Sequence, residues 1–189
     1  IMKKVLIMFS GGVESTALLQ HAVEQDYDIT LVHVTHNNRS HKEMSACRGI
    51  VHHLAPYTKL YEVLISKDEF DLDYQKGYRD VSIWLSTAMS IVGRGEWDEV
   101  WYGTHSHDGK GKVPDMEQSW NAMMKVLRLD TILTSPLTLI SKLNLYKMLP
   151  KKIKECIVYC QVIPKGAWNK PCGECMKCME FKKYVTDRM

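Results

Sequence analysis

The stretch Val5-Leu6-Ile7-Met8-Phe9-Ser10-Gly11-Gly12-Val13-Glu14-Ser15 decides how this chain is read. Five consecutive apolar residues closed by a Ser-Gly-Gly break have the pattern of a short strand buried on both faces. Residues 14–24 then place Ala17, Leu18, Ala22 and Val23 near helical spacing, and the β-branched run Ile29-Thr30-Leu31-Val32-His33-Val34 follows. Strand, helix and buried-type strand in that order make a β-α-β unit with parallel strands. At its first turn, two glycines let backbone pass close to a ligand, and the hydroxyls of Ser10 and Ser15 bracket them. The unpaired N–H groups of the helix's first turn add donors, so Ser10, Gly11, Gly12, Val13, Glu14 and Ser15 are expected to cradle a phosphate chain. The spacing is neither the Rossmann fingerprint nor the Walker A loop, because it has no third spaced glycine and no Gly-Lys-Ser/Thr.

Outward from this unit the alternation continues. Residues 42–54 bring Met44, Cys47, Ile50, Val51 and Leu54 onto one helical stripe, and Leu60 to Ile65 form a third strand. A polar, Asp-rich stretch covers 66–80. Residues 81–92 predict a helix stopped by Gly93 and Gly95, and Glu99 to Gly103 a fourth strand. A loop rich in His, Gly and Lys spans 104–114, a helix opens near Asp115 and runs to about Arg128, and a short fifth strand lies near Ile132-Leu133. Helical segments from about Ser141 to Cys156 break near Pro150. The expectation is a three-layer α/β domain with a parallel sheet of about five strands over residues 1–155. Residues 156–189 are then a C-terminal metal-binding segment packed on the same domain. No internal repeat or low-complexity segment interrupts it.

A chain of 189 residues with 45% hydrophobic residues and a mean hydropathy of −0.25 can bury one core without obligatory staples. Met2-Lys3-Lys4 leads into only five apolar residues, too few for a signal peptide or a membrane span, so a soluble cytoplasmic protein is expected. The net charge of +3 is unevenly spread: residues 142–189 carry eleven Lys/Arg against four Asp/Glu. A nucleic-acid contact is one reading of such a tail; a solvated Lys-rich surface is favoured, because stacking aromatics are not interleaved.

Five of the six cysteines cluster near the end, with only Cys47 apart. Cys172, Cys175 and Cys178 form two overlapping Cys-x-x-Cys pairs, a spacing that turns three thiolates onto one ion. Zinc is favoured over an iron–sulfur cluster. A closed tetrahedral site needs a fourth ligand, for which Cys160 is best placed and Cys156 is the alternative. His33, His36 and His41 gather at the end of the second strand, and His105 and His107 follow the fourth; metal binding there is disfavoured for want of a carboxylate at ligand spacing. His52 and His53 read as helix-surface residues. Trp84, Trp101 and Trp120 read as core, with Trp120 the one most readily placed in a pocket.

The Ser-Gly-Gly-x-Glu-Ser loop after strand one, combined with Cys160…Cys172-x-x-Cys175-x-x-Cys178, resembles the 7-cyano-7-deazaguanine synthases, a family of N-type ATP pyrophosphatases. Arg39-Ser40-His41-Lys42-Glu43 looks like the family's basic loop, Pro114-Asp115 like its base-binding stretch, and Ser135-Pro136-Leu137 with Lys142 like its Pro-Leu…Asp-Lys region. The resemblance implies the PP-loop, adenine-nucleotide alpha-hydrolase-like fold. It implies ATP, Mg²⁺ and Zn²⁺ as cofactors and a homodimer as the assembly. Its substrates would be a deazapurine acid and ammonia: adenylation of 7-carboxy-7-deazaguanine, displacement of AMP by ammonia, then dehydration of the amide to the nitrile preQ0, in deazaguanine synthesis for queuosine-type or DNA modification. Lys142 and Asp115 would be catalytic; Arg39, His41, Arg79, His105, Pro114 and Asp115 would bind substrate.

The departures bear mainly on the substrate side. Glu14 stands where the family has Asp, residues 113–117 lack its Tyr, Cys and Arg, and Tyr78-Arg79-Asp80 replaces a Gly-Arg-Asn. A lost cation and an added carboxylate lower the positive potential available to an activated amide oxygen, so a reaction that ends at the amide is one expectation. Two other classes compete: a tRNA-thiolating ATP pyrophosphatase, which needs a free catalytic cysteine, for which Cys47 and Cys156 are available, or a labile iron–sulfur cluster, and a non-catalytic nucleotide-binding zinc protein.

Overall fold

The computed structural model describes residues 2–35, 40–64, 80–108, 112–160 and 171–189, with backbone only for Ser40, His41, Asp80, Lys112 and Val113. Five strands, β1 (Lys4–Met8), β2 (Asp28–Thr35), β3 (Lys59–Leu64), β4 (Glu99–Trp101) and β5 (Ile132–Thr134), form one sheet in the order β3-β2-β1-β4-β5. Every pairing is parallel. Helices α1 (Val13–Glu24), α2 (Ser40–Leu54), α3 (Asp80–Val92) and α4 (Lys112–Leu127) are the crossovers; α5 (Lys142–Met148), α6 (Lys151–Lys154) and α7 (Met176–Tyr184) follow. This is the α/β, parallel-sheet architecture that the sequence pattern predicts. The fourth strand is two residues shorter than its apolar run, because Tyr102 and Gly103 already turn into the loop behind it. No described helix is long and apolar enough to cross a membrane.

The two-residue period of β1 sets the layers. Val5, Ile7 and Phe9 join Leu18, Leu19, Ile50, Trp101, Leu145 and Ile153 in one core, under α1, α2, α5 and α6. Leu6 and Met8 join Val32, Val34, Ala88, Val92, Val100, Trp120 and Met124 in the other, under α3 and α4. Phe181 and Val185 of the C-terminal segment belong to the first core, and Phe181 stacks on Tyr159 at 3.9 Å between centroids, nearly parallel. Trp120 is fully buried and donates its indole N–H to the Thr131 carbonyl at 2.7 Å. It is therefore core, and among the described tryptophans Trp84 is the one that lines the two cavities.

Sheet order positions the site. Connections leave β1 toward β2 on one side and reach β4 on the other, so the loops after β1 and β4 part at their carboxyl ends and open a crevice between them. Ser10 and Gly12 on one side and Tyr102, Gly103, Thr104 and Asp108 on the other line that crevice.

Candidate active site

Gly11 has φ +72°, and a Cβ there would lie 3.3 Å from both the Ala46 Cβ and the Cys47 Sγ, so the first loop can press onto α2 only as glycine. Gly12 caps α1 without a side-chain hydrogen bond. The hydrogen bonds inside the loop are long. The Ser10 amide donates to Ser15 Oγ at 3.3 Å, the Gly12 amide to Ser10 Oγ at 3.4 Å, and the two serine hydroxyls meet at 3.2 Å. A strong acceptor entering the cradle would replace weak bonds by charge-assisted ones. From the other side, Gly103 brings β4 so close that a Cβ on it would be 2.9 Å from Glu14 Cβ and from the Ser15 amide nitrogen.

Behind the cradle sits an ionic cluster drawn from four parts of the chain. Ser141 caps α5 by accepting the Asn144 amide at 3.3 Å, which sets Lys142 at the first helical position with only 4% of its surface exposed. The Lys142 ammonium contacts Glu14 Oε1 at 2.8 Å and bonds Glu180 Oε1 of α7. The Lys177 ammonium holds the other Glu180 oxygen at 2.9 Å. Burial works against the Lys142 charge, but Glu14 and Glu180 outweigh it and raise its pKa above the ordinary lysine value. Burial likewise pushes Glu180 up, and the His105 N–H with the Lys142 and Lys177 ammoniums overcomes it, holding the carboxyl well below the usual carboxylate range.

His105 lies 2% exposed, its Nε2 at 3.6 Å from one oxygen each of Glu14, Asp108 and Glu180. Glu14, His105 and Asp108 are near enough together to suggest a metal group. The tautomer argues otherwise, because His105 Nδ1 accepts the His107 amide at 3.1 Å, and a neutral ring then carries its proton on Nε2. His105 is thus an N–H donor facing three carboxylates. Glu14 and Glu180 reach it from α1 and α7, while Asp108 lies three residues on in the same loop.

Two cavities share this floor. The polar one, about 240 Å³, is lined by Ser10, Gly12, Glu14, Lys142, Tyr159 and Lys177 among others. The larger, about 330 Å³, adjoins it and is walled by Val81, Trp84, Leu85, Ala88, Tyr102 and Met116. The first has donors and ammoniums for phosphates; the second has the apolar walls and the size for a planar ring.

The four thiols of Cys160, Cys172, Cys175 and Cys178 lie within 4.8 Å of one another. The Cys172 amide donates to Cys160 Sγ and the Cys175 amide to Cys172 Sγ, both at 3.3 Å. Hydrogen bonds from the Cys175 and Glu174 amides lower the Cys172 pKa, while burial and the neighbouring thiols push Cys178 up to about 12. Thiols crowded this way shed their protons together only around a cation, and four converging sulfurs fit tetrahedral zinc. Cys156 is elsewhere, its Sγ donating to the Lys152 carbonyl, and Cys160 is the fourth thiol of the group.

The remaining expected site residues divide. Pro114 and Asp115 are exposed at the start of α4 and line neither cavity; Met116, the next residue, does. Arg39 and Arg79 lie outside the described residues, as does the His41 side chain. His33 is buried beneath the first loop, its Nδ1 hydrogen-bonded to the Phe9 carbonyl at 2.9 Å, and His36 lies outside the described residues. His52 and His53 are exposed on α2. Trp84, Asp108, Lys177 and Glu180 were not legible as site residues. For Glu180 the available signal was a carboxylate in a basic tail, one helical turn after Lys177.

Residues 4–82 match the family model described as queuosine biosynthesis protein QueC. The chain is similar to curated 7-cyano-7-deazaguanine synthases. It is 23% identical over 232 aligned positions to the 7-cyano-7-deazaguanine synthase of Thermoplasma acidophilum, covering 97% of this chain and 94% of that protein. To the synthase of Thermoplasma volcanium it is 24% identical over 203 positions, covering 93% and 83%. Among solved structures, a 4-thiouridine synthetase in complex with RNA and ATP superposes with a TM-score of 0.61 at 13% identity, over 98% of this chain and 51% of that one. The NMN synthetase of Francisella tularensis gives 0.50 at 14%, over 98% and 85%. These likenesses are of fold, a parallel α/β sheet flanked by helices.

Proposed function

We propose that this chain is an ATP-dependent carbon–nitrogen ligase acting on 7-carboxy-7-deazaguanine in deazaguanine synthesis. The observation that carries the reading is the wall the two cavities share: a polar cavity lined by the buried Lys142 and the partly exposed Lys177 borders a ring-sized apolar pocket, in a chain similar to 7-cyano-7-deazaguanine synthases. In the reaction, the substrate carboxylate attacks the α-phosphorus of ATP and pyrophosphate leaves. Ammonia then attacks the acyl carbon, loses a proton and expels AMP, giving the amide. A second ATP activates the amide oxygen in the same way, and loss of AMP and a proton gives the nitrile.

The chain's own groups position charge in this scheme. Ser10, Ser15 and the amides of Gly12 and the first turn of α1 hold phosphate oxygens. Lys142 and Lys177 face the negative charge that develops as pyrophosphate departs, in a site partly withdrawn from water where such charges count for most. The Glu14 and Asp108 carboxylates supply the hard oxygen ligands that suit Mg²⁺, which when bound would neutralise phosphate charge. Trp84 offers a face on which the deazapurine ring can stack. The thiol group of Cys160, Cys172, Cys175 and Cys178 would hold zinc as a structural ion.

The tRNA-thiolating alternative gains no comparable support. Cys47 is fully buried, and burial with the Glu43 charge pushes its thiol far above the ordinary range; burial and Glu155 also raise Cys156. Neither is an activated thiolate. Acid-dependent formation of AMP from ATP separates the ligase from a non-catalytic nucleotide-binding zinc protein: a binding protein would take up ATP and release no AMP.

A further inference from the structure

The metal-binding segment reaches into the phosphate site at several points. The Val158 amide donates to the Gly11 carbonyl at 3.2 Å, two residues before Cys160. Tyr184 of α7 stacks on His107 at 4.8 Å and packs against His105 at 5.9 Å, closing α7 over the loop behind β4. Between these contacts Glu180, on the helix that Cys175 caps and that carries Cys178, takes the Lys142 ammonium with one oxygen and the Lys177 ammonium with the other, 2.9 Å away. Its carboxylate is therefore fixed at both ends, one to its own helix and one across to α5.

Lys142 has two carboxylate partners with different prospects. Glu14 lies in the first turn of α1, beside the amides that would take an incoming anion, and a polyphosphate there repels its carboxylate and competes for the ammonium. Glu180 comes from another element and is already tied down by Lys177. We propose that Glu180 is the positioning residue for Lys142: it keeps the ammonium in place at the mouth of the phosphate cradle when the nucleotide displaces Glu14, and so ties the metal-binding helix to nucleotide binding. This rests on the reading of Lys142 as a group that meets the nucleotide. A carboxylate in a basic tail that served only local helix stability would need Lys177, one turn away, and would have no use for a buried lysine 38 residues earlier.

The test is a double-mutant cycle on the full chain loaded with zinc: wild type, Glu180→Gln, Lys142→Met and the double variant. The readouts are zinc content, thermal midpoint, and calorimetric binding of α,β-methylene-ATP with Mg²⁺. Glu180→Gln is expected to keep one zinc per chain and the wild-type midpoint within a few degrees. It should weaken binding about fivefold or more beside Lys142 and cause no further loss in the Lys142→Met background, as for a contact pair with real coupling. Glu180→Asp, with the charge kept on a shorter stem, should fall between wild type and Glu180→Gln. Equal losses in both backgrounds, no loss, tighter binding, or departure of zinc from Glu180→Gln would each overturn the proposal. Because the probe is a nucleotide alone, wild-type binding without turnover of the deazapurine acid would refute the reaction proposed above, while the cycle still decides the role of Glu180.

Discussion

Gly12 and Gly103 face the same cradle but answer differently to an added methyl. A Cβ on Gly12 would meet Ser10 Oγ at 3.4 Å and Glu14 Oε2 at 3.8 Å, ordinary contacts in a backbone of normal φ. Gly12→Val should therefore fold with little change in thermal midpoint and lose at least about tenfold in affinity for an ATP analogue, since its branches occupy the space an anion needs. A Cβ on Gly103 would press on the backbone of α1 at 2.9 Å. Gly103→Ala should then cost about 1–3 kcal/mol in denaturant unfolding as well as affinity. Equal stability of the two variants would contradict the geometry. Lys142 gives a pH test at the same scale. Its pKa in the fold is raised above the ordinary value near 10.4, so its ion pairs contribute fully below that pH and fade only as pH climbs past it. The stability gap between wild type and Lys142→Met should be flat from about pH 6 to 9 and close only above about pH 10; a gap that closes near neutrality would show that the ammonium is lost there.

Among the elements, β1, its loop and α1 were legible because a period of two, a glycine pair and a helical stripe are local patterns that the fold has no reason to override. The same holds for the three clustered cysteines, whose spacing is itself the geometry. What was hidden depends on distant elements meeting. Trp84 sits between Ile83 and Leu85 and Trp120 between Ser119 and Asn121, so the local sequence points the wrong way, and it is the packing of their helices that sends Trp84 to the crevice and Trp120 under β5. Glu180 and Asp108 become site residues because α7 and the loop behind β4 converge on Lys142, a convergence without a sequence signal. At this scale the C-terminal segment is predicted to depend on its ion. Cys175→Ser should lower zinc from one per chain to well below half, and the thermal midpoint by about 5 °C or more, as Phe181 and Val185 lose their hold on the core. Full zinc retention, measured by metal analysis after dialysis, would place the ligands elsewhere.

At the scale of the molecule, the sheet order β3-β2-β1-β4-β5 puts a phosphate cradle, a ring pocket and a thiol-bound helix around one crevice. The likeness to 7-cyano-7-deazaguanine synthases supports the substrate proposed for that crevice, and the departures around residues 78–80 and 113–117 bear on how far the proposed reaction proceeds. One assay addresses the account most directly: the zinc-loaded chain incubated with 7-carboxy-7-deazaguanine, ammonium and excess ATP with Mg²⁺, with nucleotides and deazapurines followed by mass. The account predicts AMP formed only when the acid is present, together with the amide, the nitrile or both; amide that persists on fresh ATP marks an enzyme that stops there, and nitrile as the main product marks the complete synthesis. Bound ATP with no acid-dependent AMP, or ADP in its place, would contradict the central claim that this crevice adenylates a deazapurine carboxylate.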